Sequence, residues 1–543
     1  MNLNLKVSWI KKLKSTNSGD YKYASDDQYR EIDIESLDPD DLDVIQDLAT
    51  QNKDVKGSVA IKQKITIYRK LLTDVKGVRV TKLEPLVLAI KLLMQPQPNK
   101  WLFKENEDGY VVPWYVHDVK YRPNSEQQGA AHVTVSLAAT VRGARVDGQI
   151  YFYAGDKGGT ANELLRKKGY FVETPEVVEA YARENKVYQK LCRQTGIQFL
   201  ATGLAFEITR WSAGITPMER DGYPTRVVMD DESADGNTDE RKNKAFSISS
   251  NFWVRDMKAN RKSGDDAGGD EDNVINLPLH PYVKVFDLVK HQHIKIHVDC
   301  LTEYVYDDTL ISKLVLPNSK KDLISMLIEG ADMAMEDIVK GKTGGIIVIC
   351  TGPPGVGKTL SAEVFSEQVK RPLYCVQCSQ LGVRAEKLEE ELQLVLNRAQ
   401  RWRAILLIDE ADVYVYSRGN DINQNAIVGV FLRVLEYYKG VLFMTSNRDT
   451  VIDDAIMSRA TAWIRYELPD KDNLAQIWRT LAEQYRVALN EETIGRLINC
   501  PKLGVVSGRS VKNLLKLSRL LSAKTGNVVT FETIEYVSQF LDI

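Results

Sequence analysis

The chain has 543 residues, enough for two or three domains with sizeable cores. With 43% hydrophobic residues, 27% charged residues and a formal net charge of −2, it has no global pull towards nucleic acid or an anionic membrane. The stretch Met1 to Lys6 lacks the apolar core of a secretory signal, no apolar run of about 18 residues occurs, and six scattered cysteines fit a reducing compartment, so a soluble cytoplasmic protein without membrane contact is expected.

Residues 1 to 100 read as mainly helical. Leu37 to Leu48 is acidic, Val59 to Leu72 has a lysine-rich helical pattern, and Glu84 to Met94 is an apolar helix closed by Pro96 and Pro98. From Trp101 the texture becomes α+β. Tyr110 to Val116 and His132 to Val146 have strand composition, Asp147-Gly148 is a hairpin turn signal, and Ile150 to Tyr153 reads as the return strand. Thr160 and Glu163 form a capping box for one helix, and Thr174-Pro175 opens a second that ends near Gly196. Ile197 to Trp211 returns to strand texture. The acidic segments 229–243 and 261–273 are expected to be mobile loops, with a strand over Phe246 to Met257 between them.

His291, His293, His297 and Asp299 share one parity, so an unbroken strand puts them on one face. Four residues of strand separate His293 from His297 by roughly 13 Å, too far for one shared ion, so packed or solvated histidines are expected and no metal is assigned. Cys375 and Cys378 form a lone C-x-x-C at a buried strand, without the second ligand pair that a zinc site needs. Pro317 breaks the chain, and Asn318 to Lys340 is an amphipathic helix with Leu323, Met326, Leu327, Met333 and Ile338 near one face.

The most informative stretch is Thr351-Gly-Pro-Pro-Gly-Val-Gly-Lys-Thr359, preceded by the apolar block Gly345 to Cys350 and followed by a helical segment to Val369. Strand, glycine-rich loop and helix are the context of a phosphate-binding loop. Gly352, Gly355 and Gly357 allow backbone N–H groups to turn around phosphate oxygens at the positive end of a helix. Lys358 sets a cation against the β- and γ-phosphates, and the Thr359 hydroxyl ligates Mg²⁺. Ile405 to Ile408 is an aliphatic strand ending in Asp409 and Glu410. Asp409 is expected to hold the metal through water, and Glu410 to polarise the attacking water. Val441 to Ser446 is a further strand ending in Asn447, which can orient water or touch the γ-phosphate. Arg509 starts the last long helix and can bend back over the nucleotide.

Together G-P-P-G-V-G-K-T, I-L-L-I-D-E-A-D, F-M-T-S-N-R and D-D-A-I-M-S-R resemble an AAA+ ATPase module of the AAA-proper type over residues 318–543. The resemblance implies a parallel α/β phosphate-loop domain over 317–468 and a helical lid over 469–543. Upstream it leaves a helical segment over 1–100 and an α+β recognition module over 101–316. It makes Lys358 and Thr359 part of Walker A, Asp409 and Glu410 of Walker B, Asn447 sensor 1 and Arg509 sensor 2. Arg459 matches the arginine finger that reaches a neighbouring subunit's site, which implies a homo-oligomer, usually a hexameric ring. The nucleotide-binding set is Gly352, Pro353, Pro354, Gly355, Val356, Gly357, Lys358, Thr359, Leu360 and Asp409, with ATP and Mg²⁺ (held by Thr359 and Asp409) as cofactors.

Two departures from the family pattern stand out. The expected pore loop, Ser379 to Arg384, offers Leu381 and Val383 but no aromatic to grip a polymer, and the position three past Arg459 is Ala462, with Arg465 further on. The resulting expectation is an ATP-driven remodeller of a protein client recognised by residues 1–316. A nucleic-acid-acting ATPase, for which Lys11, Lys12, Lys14 and the lysines of 62–70 speak, and an ATP-gated scaffold remain as alternatives.

Overall fold

The computed structural model describes residues 2–16, 24–26, 28–51, 58–74, 76–95, 101–106, 108–124, 130–141, 144–207, 216–218, 224–230, 253–256, 277–330, 345–382, 385–415, 422–447, 452–526 and 528–541. The first hundred residues contain helices Pro39–Gln51, Ser58–Thr73 and Leu83–Leu93 where the sequence places them, and a two-stranded ribbon that the sequence reading lacks. Asn2–Lys6 pairs antiparallel with Tyr29–Asp33, and helices Pro39–Gln51 and Ser58–Thr73 cover this ribbon through Leu3, Leu5, Ile32, Ile45 and Ile65. The alternation in Asn-Leu-Asn-Leu-Lys, with Leu3 and Leu5 buried, is a strand period too short to stand out against the helices that follow.

Two antiparallel sheets follow. One has six strands in the order Trp253–Asp256, Ala144–Tyr153, His132–Val141, Val111–Arg122, Leu102–Glu105, Tyr170–Val172. Helices Leu83–Leu93 and Ala161–Lys167 bury its apolar face, the second capped reciprocally by Thr160 and Glu163 as expected. The hairpin turn, however, is not at Asp147-Gly148. Val141 pairs with Ala144, and Asp147 and Gly148 sit inside the return strand opposite Ala138 and Leu137. A turn dipeptide in a strand with paired neighbours on both sides yields to the ladder.

The other sheet has seven strands in the order Thr216–Met218, Ala205–Glu207, Gln292–His297, Tyr282–Asp287, Thr225–Met229, Gln198–Ala201, Leu301–Glu303. The expected loop at 229–243 begins later than predicted: Met229 ends a strand and Asp230 is fully buried, while 231–243 and 261–273 lie outside the described residues. His291, His293, His297 and Asp299 do not share one strand face. His291 sits in a left-handed turn before the strand and Asp299 in a 3₁₀ turn after it.

The C-terminal region is a five-stranded parallel sheet in the order Leu373–Gln377, Ile405–Asp409, Val441–Ser446, Ile346–Thr351, Ala462–Arg465. Its strands are near-continuous aliphatic runs because helices cover both faces, giving one core around Leu388, Leu392 and Phe431 and another around Phe365 and Ile324. This is the AAA+ phosphate-loop fold that the motifs imply. Helices Lys471–Tyr485, Glu491–Asn499, Gly508–Thr525 and Phe531–Ser538 close on a separate core around Trp478 and Leu514.

The helix opening at Asn318 is described to Gly330, and its buried residues are Ile324 and Ile328, one turn apart. Leu323 and Met326 lie on its exposed side, contrary to the expected stripe, and Met333 and Ile338 lie outside the described residues.

Polar contacts tie the seven-stranded sheet to the nucleotide core. Glu367, 4% exposed in the helix after the phosphate loop, accepts from the Tyr304 hydroxyl at 2.7 Å and the Asp307 N–H at 3.0 Å, and pairs with Arg226 at 3.1 Å. In the other direction, buried Asp230 receives Arg401 from the nucleotide core at 2.8 Å. Phe286 of the seven-stranded sheet packs against Tyr374 and Trp402 within the core around Leu388 and Phe431.

Candidate nucleotide site

The phosphate loop lies between the strand Ile346–Thr351 and helix Lys358–Gln368. Two of its glycines are fixed by close approach as well as by left-handed backbone. At Gly352 (φ 140°) a Cβ would come 2.1 Å from the Tyr466 carbonyl oxygen, and at Gly355 (φ 80°) 2.7 Å from Arg509 Cβ. Gly357 is the N-cap of the helix. Val356 packs on the core, whereas Pro354 and Leu360 are exposed.

Lys358 is 6% exposed and curls over its own loop. Its Nζ donates to the carbonyls of Gly352 at 2.6 Å and Pro353 at 2.8 Å and to Asn447 Oδ1 at 2.9 Å. The loop lysine and the tip of the strand Val441–Ser446, 89 residues apart, thus meet directly. Thr359 Oγ1 donates to Asp409 Oδ1 at 2.9 Å. A hydroxyl and a carboxylate side by side at the mouth of an anion-binding loop are a hard-oxygen donor set suited to Mg²⁺, and the loop's backbone suits phosphate, so the residues present fit both groups.

Glu410 follows Asp409 as the chain leaves the sheet, is exposed, and has φ of 54°. Its N–H donates to Thr445 Oγ1 at 2.9 Å, and its carbonyl accepts the Cys378 thiol at 2.9 Å. Burial pushes the Cys378 thiol up to about 12, which keeps it a neutral donor. Cys375 lies against the core on the Phe365 side of the sheet and Cys378 against the Leu388 side, so the pair shares no site. Among the described residues no group of three or more His, Cys, Asp or Glu side chains is placed to hold a metal ion.

The lid contributes through Arg509, whose N–H donates to the Gly355 carbonyl at 3.2 Å, directly after the helix cap Ser507. Arg459 is not brought to this loop. Its guanidinium donates to the Ala455 carbonyl at 3.2 Å and lies 3.7 Å from Glu436. Leu381, expected in a pore loop, is 1% exposed at the end of a short helix, and Val383 lies outside the described residues. Arg465 stacks on Trp463 at 3.9 Å, and the indole N–H of Trp463 donates to Thr351 Oγ1 at 2.9 Å.

Thr445 and Trp463 escaped the sequence reading. Thr445 left a trace, a hydroxyl directly after the apolar run Val441 to Met444 and two residues before Asn447. Trp463 left none, because its contact depends on the parallel register of Ala462–Arg465 beside the phosphate-loop strand.

Residues 348–468 match the family model of the ATPase family associated with various cellular activities (AAA). The chain is similar to ATP-dependent zinc metalloprotease FtsH 2 of Methylacidiphilum infernorum, with 27% identity over 204 residues, 34% of this chain and 31% of that protein. Similarity to Spastin of Naegleria gruberi is 24% over 221 residues, 38% of this chain and 39% of that protein. The chain therefore spans about a third of the length of these curated relatives. Among solved structures, a chain of the HORMA:CdnC:Trip13 complex of E. coli MS115-1 aligns at 19% identity and TM-score 0.35, covering 42% of this chain and 90% of that one. The FIGL-1 AAA domain in complex with ADP aligns at 19% identity and TM-score 0.34, covering 41% and 81%. No described helix is long and apolar enough to cross a membrane.

Proposed function

The C-terminal region of the chain is an AAA+ ATPase module, and we propose that it hydrolyses ATP in a homo-oligomeric ring, with residues 1–316 recognising a protein client in the cytoplasm. The observation that carries this reading is the convergence of Lys358, Thr359, Asp409 and Asn447 on the mouth of one glycine loop, with Glu410 beside them. Lys358 exchanges its contacts to Gly352 and Pro353 for phosphate oxygens, because a charged acceptor outbids neutral carbonyls. Thr359 and Asp409 hold Mg²⁺, which when bound neutralises charge on the phosphates. Glu410 takes the proton of the attacking water, and Asn447 orients that water. Arg509 places the lid against the loop, so nucleotide state is felt by the lid.

Arg459 serves a neighbour's site. Its guanidinium lies on Ala455 and Glu436 and not on its own subunit's loop, as a group acting in trans would. Client remodelling without threading is favoured by Leu381, which is buried where a gripping residue has to be exposed. An ATP-gated scaffold is the second reading that the same observation supports.

Light scattering on the Glu410→Gln protein tests ring formation. An ATP- and Mg²⁺-dependent shift to a ring-sized particle is expected, and a persistent monomer refutes catalysis in trans.

A further inference from the structure

We propose that Thr445 is a positioning residue for hydrolysis, its single hydroxyl fixing Asp409 and Glu410 relative to one another; this rests on the ATPase reading above. Thr445 lies in the strand Val441–Ser446, all six residues of which are buried, and is itself 2% exposed. A hydroxyl has one proton to give and two lone pairs to accept with. Here the proton goes to Asp409 Oδ1 at 2.6 Å, and a lone pair takes the Glu410 N–H at 2.9 Å. The backbone of the same residue also accepts the Ala411 N–H at 2.8 Å. One side chain and its own carbonyl thus grip three consecutive residues at the end of the acid-bearing strand.

The grip sits where the sheet stops providing one. Pairing of the strands Ile405–Asp409 and Val441–Ser446 runs only as far as Ile408 with Met444. Beyond it Glu410 turns out with φ of 54°, a left-handed conformation that a non-glycine residue keeps only where its surroundings hold it. Glu410 is exposed, so its direction depends on how its backbone is held. The hydrogen bond from its N–H to Thr445, together with the Cys378 thiol donating to its carbonyl at 2.9 Å, sets the direction in which the carboxylate leaves the strand.

Asp409 Oδ1 accepts a second hydroxyl, Thr359 Oγ1 at 2.9 Å. Thr359 would be shared with Mg²⁺ in a loaded site, whereas Thr445 would remain the partner that keeps the Asp409 rotamer. Val is nearly the same shape as Thr but lacks the hydroxyl, so Thr445→Val separates this role from packing.

The test measures, for the full chain, affinity for a fluorescent ATP analogue in EDTA and across a Mg²⁺ titration, together with kcat and KM for ATP. Thr445→Val is expected to leave Mg²⁺-free affinity within about twofold, raise the Mg²⁺ concentration giving half-maximal tightening, and lower kcat roughly 10- to 100-fold at similar KM. Thr445→Ser, which restores the hydroxyl without the methyl, is expected to recover most of both. Thr445→Val matching wild type in Mg²⁺ requirement and kcat overturns the proposal, as does Thr445→Ser as impaired as Thr445→Val, which reduces Thr445 to packing. If Thr445→Val does not fold, Thr445→Cys, similar in size and a weak hydrogen-bonder, takes its place with the same outcomes. A wild-type chain that binds no nucleotide in the same titrations instead overturns the ATPase reading, and this proposal with it.

Discussion

Arg401 Nη2 donates to Asp230 Oδ2 at 2.8 Å across 171 residues of sequence, joining the nucleotide core to the seven-stranded sheet. Asp230 is fully buried and also accepts His293 Nε2 at 2.7 Å. Burial pushes the Asp230 carboxyl up, but the His293 hydrogen bond and the Arg401 charge outweigh it and hold it below its ordinary value. Burial also lowers His293, so at neutral pH it is an uncharged N–H donor and Arg401 supplies the charge. The helix Ala385–Arg401 leads directly into the strand that ends at Asp409, so this contact connects the upstream region to Asp409 and Glu410 by a short, packed route.

Asp230→Ala is therefore expected to destabilise the junction by roughly 3 kcal/mol, because Arg401 and His293 lose a shared buried acceptor. Chemical denaturation followed by intrinsic tryptophan fluorescence reads this. An unchanged midpoint would show that the upstream sheet is merely tethered.

Lys358→Ala removes the only side chain described as bridging the loop carbonyls and Asn447. Nucleotide affinity by titration calorimetry should fall by at least roughly 100-fold, the scale for losing charge-assisted bonds to a polyanion. Retained tight binding contradicts the phosphate-loop assignment.

Arg459→Ala should lower turnover by roughly a thousandfold while leaving nucleotide affinity of each subunit intact. Mixing it with Lys358→Ala, which is impaired in nucleotide binding but keeps its own Arg459, should restore part of the turnover. Failure of the mixture to exceed either variant alone argues that Arg459 is a surface residue.

His280 is fully buried, its Nε2 2.9 Å from the Pro113 carbonyl, and burial lowers it from 6.5 to about 3. The unfolded chain takes up this proton more readily than the folded one, so stability is retained above about pH 6.5 and declines as pH falls towards 3, by up to about 1.4 kcal/mol per unit. Melting temperature should drop between pH 7 and 5, and His280→Gln should flatten part of that slope. A flat wild-type profile contradicts it.

The nucleotide core was legible because its signals are local. Buried parallel strands are aliphatic throughout, and each functional side chain sits at a strand tip or loop that composition marks, as with Asp409 and Asn447. The upstream region was harder. Strand Asn2–Lys6 is only five residues long and its partner Tyr29–Asp33 is 23 positions further on, so pairing leaves no short-range trace. Asp147-Gly148 carried a genuine turn preference that ten paired residues of ladder overrode. The Asp230–Arg401 and Thr445–Glu410 contacts were invisible for another reason: they join elements brought together only by tertiary packing and strand order.

Phosphate release from Mg-ATP by the wild-type chain and Glu410→Gln, with nucleotide binding measured on both, tests the central claim most directly. Steady turnover by wild type, with Glu410→Gln binding ATP at comparable affinity but releasing almost no phosphate, is the predicted result. Equal phosphate release by the two proteins would contradict it.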